Sequence, residues 1–96
     1  MKFEEFTESL RNDSPPNNLN QLLLALWYDA KGDWESSHNI AQDLDTPDGA
    51  SIHAYLHRKE GDIWNADYWY RRAGSKRQEI DLEKEWRQLA SAYLTK

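Results

Sequence analysis

Three histidines, five tryptophans and five tyrosines in 96 residues hold most of the chemistry this sequence could perform. His53 and His57 lie one helical turn apart, a spacing at which two imidazoles can reach one metal ion. His38 or a carboxylate would have to complete such a zinc site. Three features of the sequence oppose it: spacing fixes no third ligand, no glutamate directly follows His53 as in the zinc-protease pattern, and Arg58 and Lys59 beside His57 would repel a cation. The sequence therefore favours two histidines packed on the inward face of a helix. No metal or other cofactor is expected, and the ion is the alternative.

A second constellation follows in the stretch 53–74, HAYLHRKEGDIWNADYWYRRAG. Trp64, Tyr68 and Arg71 or Arg72 recur at i, i+4 and i+7 or i+8, with Trp69 turned to another face. Flat rings beside forked guanidinium donors are the usual composition of a binding hot spot. Tyr55, Arg58, Trp64, Tyr68, Trp69, Arg71 and Arg72 are thus candidates for contact with a protein partner. A pocket for a small molecule or metal lined by His53, Tyr55, His57 and Trp69 is the alternative. Against exposure stands the expectation that a C-terminal helix covers these rings with Leu82, Trp86 and Leu89, because several exposed rings are a liability in a monomer. The basic run Arg71 to Arg77 could hold an acidic partner, although cations at a helix C-terminus are equally expected from the macrodipole.

Bulk properties narrow the function classes. Lys and Arg total 12 against 17 Asp and Glu, a net charge of −5 that opposes attraction to nucleic acid or anionic lipid. There is no cysteine, so no disulfide supports the fold and a cytoplasmic location is the default. The longest apolar run, 22–28, is far short of a membrane span, and the acidic start does not resemble a signal peptide. No nucleophile–base order or glycine-rich phosphate loop can be identified, so an enzyme is not expected.

The elements that must position these residues are helices. Phe3, Phe6 and Leu10 form one stripe over 2–11, and the breaker NDSPPNN follows. Asn18, with Gln21 as capping-box partner, is the expected start of a helix over 19–31 that is apolar almost all round. Gly32-Asp33 ends it and caps the next, which runs to about 43. Thr46 and Pro47 open a third helix to about 60, Gly61-Asp62 repeats the turn, and a fourth runs over 63–73. Leu82, Trp86, Leu89 and Tyr93 mark the last, with Asp81 the favoured cap. No stretch alternates like a strand, and the class is all-α, with about five to six helices in one domain over 1–96.

Residues 25–42 align with 54–71 at an offset of 29, matching Ala25 to Ala54, Gly32 to Gly61 and Asp33 to Asp62. Ala54, Gly61-Asp62, Ala66, Tyr70 and Ala73 together resemble the tetratricopeptide repeat, with its small first-helix residue, its turn and its small–aromatic–small second helix. The same stretch, with LWYDAKGDW upstream, also resembles a family of small bacterial proteins of uncharacterised function. These resemblances imply paired helices in repeat-like units over about 19–45 and 47–74, with capping helices over about 2–11 and 81–94, and supply no catalytic residues. The expected function is a non-enzymatic protein-binding or self-associating helical-repeat domain.

Overall fold

Two glycine–aspartate turns organise the chain into matching helical hairpins. In the computed structural model, which describes residues 1–95, the helices are α1 (Phe3–Glu8), α2 (Gln21–Ala30), α3 (Trp34–Gln42), α4 (Pro47–Lys59), α5 (Ile63–Arg72) and α6 (Leu82–Tyr93). A 3-10 turn, Ser9–Arg11, extends α1. Among the described residues there is no strand, and no helix is long and apolar enough to cross a membrane.

At the first turn Gly32 adopts φ 84°, which lets Gly32 N–H reach Asp29 O and Asp33 N–H reach Tyr28 O. At the second, Gly61 at φ 90° places its own N–H on Arg58 O and Asp62 N–H on His57 O. This paired pattern closes the carbonyl end of a helix and needs a left-handed residue, so a side chain at either glycine would be strained. Asp33 and Asp62 then accept from Ser36 N–H and Asn65 N–H, starting α3 and α5. Each hairpin therefore stops one helix and starts the next with three residues between them. α2 packs along α3, α4 along α5, and α3 against α4.

The start of α4 fits as the sequence predicts: Pro47 occupies the first turn and Thr46 caps it through Gly49 N–H. Gly49 has a second reason to be glycine. A Cβ there would lie 2.2 Å from Leu44 O, inside the van der Waals limit, so the α3–α4 loop can only cross here over a bare backbone. The predicted cap of α2 is displaced by two residues. Asn20, not Asn18, accepts from Leu23 N–H, and its amide also donates to Tyr93 O at 3.2 Å, so the position is chosen by α6 as well as by local sequence.

Phe6, Leu26, Trp27, Ile52 and Leu56 are fully buried at the centre. Each such side chain contributes about 1.5–3 kcal/mol by leaving water. The buried indoles also find acceptors: Trp27 Nε1–H donates to Ser9 Oγ at 3.2 Å and Trp86 Nε1–H to Leu26 O at 3.0 Å. Trp86 stacks on Phe6 at 5.8 Å and meets the edge of Phe3 at 6.3 Å. Thus α1 and α6 meet each other through these rings.

Candidate functional site

Helix α4 places its odd-numbered residues on two opposed faces, because positions two apart point roughly 200° apart. His53 and His57 share one face. Tyr55 and Lys59 share the other, where both reach the buried Asp29: Tyr55 Oη–H donates to Oδ2 and Lys59 Nζ to Oδ1, each at 2.8 Å. Burial first, and then the Asp29 charge, pushes the Tyr55 phenol well above its ordinary range, so it stays a donor. The structure does not place Tyr55 in one pocket with His53, His57 and Trp69.

On the histidine face, α3 supplies the third imidazole. His38 Nε2 and His53 Nε2 lie 2.9 Å apart, and the ring nitrogens of His38, His53 and His57 offer three atoms all within 4.8 Å of one another. His53 and His57 are buried and His38 is partly so. Two tryptophans wall the cluster. Trp34 stacks on His38 at 4.8 Å with its Nε1–H tied to Leu56 O at 2.9 Å, and Trp69 stacks on His53 at 4.0 Å. His57 Nδ1 and Glu60 Oε1 are 2.7 Å apart. That contact engages Nδ1 with the carboxylate and leaves Nε2 as the other ring nitrogen. Asn65 Nδ2 lies 3.5 Å from that atom.

The electrostatics disfavour a charge on His38 and His53. Burial, followed by the neighbouring His38 and His57, lowers the His53 pKa to about 4. Burial and then His57 lower that of His38, with Glu60 opposing. Neutral imidazoles with free nitrogen lone pairs can share protons among themselves or bind a cation.

Arg58 and Lys59, which the sequence sets against a cation, have their charges answered elsewhere. Arg58 Nη1 donates to the buried Glu85 at 2.6 Å, and its other amino group bonds Ile80 O. Glu85 also accepts from Tyr70 Oη–H at 2.6 Å, and Lys59 is paired with Asp29. Arg58 is therefore a tie between α4 and α6, its side chain only 15% exposed.

The remaining candidates form a ridge on α5. Trp64 is 78% exposed, Ile63 38% and Tyr68 37%, and Arg71 and Arg72 are exposed beside them. The expectation that the C-terminal helix covers these rings is overturned: α6 spends Trp86 on Phe3 and Phe6, and Leu82 and Leu89 on the same core. Ring contacts instead connect the ridge to the histidines. Tyr68 meets Trp69 edge-on at 5.2 Å, Trp69 lies on His53, and the Arg72 guanidinium sits 5.4 Å over Trp69 while donating to Tyr68 Oη at 3.2 Å. Beside this column a cleft of about 220 Å³ is lined in part by Thr46, Ala50, His53, Trp69 and Arg72, with Asp45 at its wall. Arg77 is occupied by Asp67, on two of whose oxygens it donates.

The roles of Trp34, Glu60, Asp29 and Glu85 were not legible in the sequence. Trp34 falls on the apolar face predicted for its helix together with Ser37, Ile40, Ala41 and Leu44, and Glu60 at a helix end, but only the hairpin packing brings the two to the imidazoles. No protein-family model matches this chain, and neither a curated protein nor a solved structure does.

Proposed function

We propose that this protein is a non-enzymatic binding domain that engages a protein partner, or a second copy of itself, through the α5 ridge, its paired hairpins serving as a scaffold in the manner of tetratricopeptide repeats. One observation carries the reading. Of the four exposed large hydrophobic residues among those described, three are Ile63, Trp64 and Tyr68 on this one helix. An exposed indole next to a tyrosine and two arginines makes a hot-spot composition, with large flat area and little entropy to lose on docking. The acidic net charge argues against nucleic acid as the partner, and the lack of cysteine suits the cytoplasm.

The test places a photo-crosslinking amino acid at Trp64 and, as a control, at the exposed Glu35 on α3. Discrete adducts at position 64 that are lost in a Tyr68→Ala background support the ridge, and light scattering then separates a second copy from a different protein. Adducts that are absent, or equal at both positions, would remove the reading.

A small-molecule site has its own supporting observation in the cleft beside His53, Trp69 and Arg72. Its volume is below the roughly 300–1,000 Å³ common for drug-sized ligands, so it suits only a small group.

A further inference from the structure

We propose that His38, His53 and His57 bind one divalent transition-metal ion, zinc being the best match, with Glu60 orienting His57 from outside the coordination sphere. This goes beyond the partner reading and does not depend on it.

Geometry comes first. Tetrahedral zinc holds imidazole nitrogens at about 2.0–2.1 Å, which sets neighbouring nitrogens roughly 3.3 Å apart. His38 and His53 would open slightly from 2.9 Å, and the widest pair would close from at most 4.8 Å. The three ligands come from two helices that pack against each other. His53 and His57 come from successive turns of α4, and His38 from α3 across the hairpin junction.

The Glu60 contact is the second, independent sign. A histidine that ligates a metal through one nitrogen commonly donates the other N–H to a carboxylate, which fixes the tautomer and strengthens the ligand. His57 has the outer half of that arrangement, Nδ1 against Glu60 at 2.7 Å, with Nε2 left as the nitrogen to ligate. Trp34 and Trp69 hold the flanking imidazoles by stacking, and Trp34 is itself anchored on Leu56 O. The nearby cations do not forbid the ion: Arg58 and Lys59 answer Glu85 and Asp29, and Arg72 lies beyond Trp69.

Three neutral nitrogen ligands suit zinc, cobalt(II), nickel(II) or copper(II) over magnesium or calcium, which prefer oxygen. They also leave a fourth position for water or an anion, and the cleft lined by His53, Trp69 and Arg72 adjoins the cluster. His57, Glu60 and Asp62 form a second close set, but Asp62 already caps α5 and Glu60 already holds His57.

Cobalt(II) titrated into the metal-free full chain is the direct test. The expected result is one equivalent bound, with ligand-field bands of a four- or five-coordinate nitrogen site that zinc displaces. Zinc at a hundredfold excess over its Kd should raise Tm by about 10 °C or more for a domain of this size. Glu60→Gln should weaken cobalt about 10-fold or more while keeping the one-to-one stoichiometry. His38→Asn, on the partly exposed helix, should lower affinity at least as far, with far-UV circular dichroism checking that the fold is kept. Two results would overturn the proposal: no stoichiometric cobalt in the wild type, or binding that His38→Asn leaves intact and Asp62→Asn abolishes, which would move the ion to the other set.

Discussion

The two faces of α4 treat buried polar groups in opposite ways. On one, the Asp29 and Glu85 carboxyl groups accept from Lys59, Tyr55, Arg58 and Tyr70, so each buried acid meets a basic side chain and a phenol. On the other, three imidazoles and two indoles meet with no ion pair except the Glu60 contact at the rim. The first arrangement is complete as it stands and ties α2, α4, α5 and α6 together. The second rests on ring stacking and on the His38–His53 Nε2 contact, in which one neutral imidazole donates to the other. The carboxylate face is held by ion pairs, the histidine face by stacked rings.

The sharpest way to break this contrast is Glu85→Ala. Removing one member of a buried pair strands the Arg58 charge and the Tyr70 hydroxyl, and about 3–5 kcal/mol of stability should be lost. Urea unfolding measures it, and a loss below about 1 kcal/mol would show that the network is not structural.

The histidine face should reveal itself through pH. The folded pKa of His53, about 4, lies below the unfolded value of roughly 6.5, so the unfolded chain takes up the proton first. The contribution is fully present above about pH 6.5 and is lost as pH falls toward 4, up to about 3 kcal/mol. Burial, to which the stacked Trp69 ring from α5 contributes, and then His38 from α3 and His57 on α4 set that shift. In His53→Gln the acid loss over this window should be smaller, and an unchanged pH profile would assign it to other groups.

Smaller effects sharpen the boundary between the faces. Trp34→Phe keeps a ring on His38 but removes the bond to Leu56 O, and should cost about 1 kcal/mol in the same unfolding measurement. Trp64→Ala should change stability by no more than about 0.5 kcal/mol, since the side chain is on the surface. If Trp64→Ala instead costs several kcal/mol, the ridge is part of the core and the partner surface is lost with it.

Legibility in the sequence followed the range of the interaction. The turns Gly32-Asp33 and Gly61-Asp62, the Thr46–Pro47 start and the Asp81 cap are local chemistry, and all stand where the residues predict. Asn20 defeats the Asn18 reading because its choice depends on Tyr93, far along the chain. The same holds for the site. The i, i+4 pair of His53 and His57 is visible by spacing, but that Arg58 turns from it toward Glu85 is decided by how α6 crosses α4. Trp86 illustrates the limit well: its helical stripe is plain, yet nothing in that stripe distinguishes Phe6 from the α5 rings as its partner.

The clasp between the terminal helices has a consequence for the order of folding. Contacts within the α2/α3 and α4/α5 hairpins close short loops, whereas Trp86 reaches Leu26 across 60 residues and Asn20 reaches Tyr93 across 73. Loop-closure entropy and contact order place such pairings late. The hairpins are expected to form first as a partly open intermediate or transition state, with Phe6, Leu26 and Trp27 still wet, and α6 to close over them in the final cooperative step. Native-state hydrogen exchange would test this, since α6 amides should open at lower free energy than those of α4, and equal protection would mean that the clasp forms together with the hairpins.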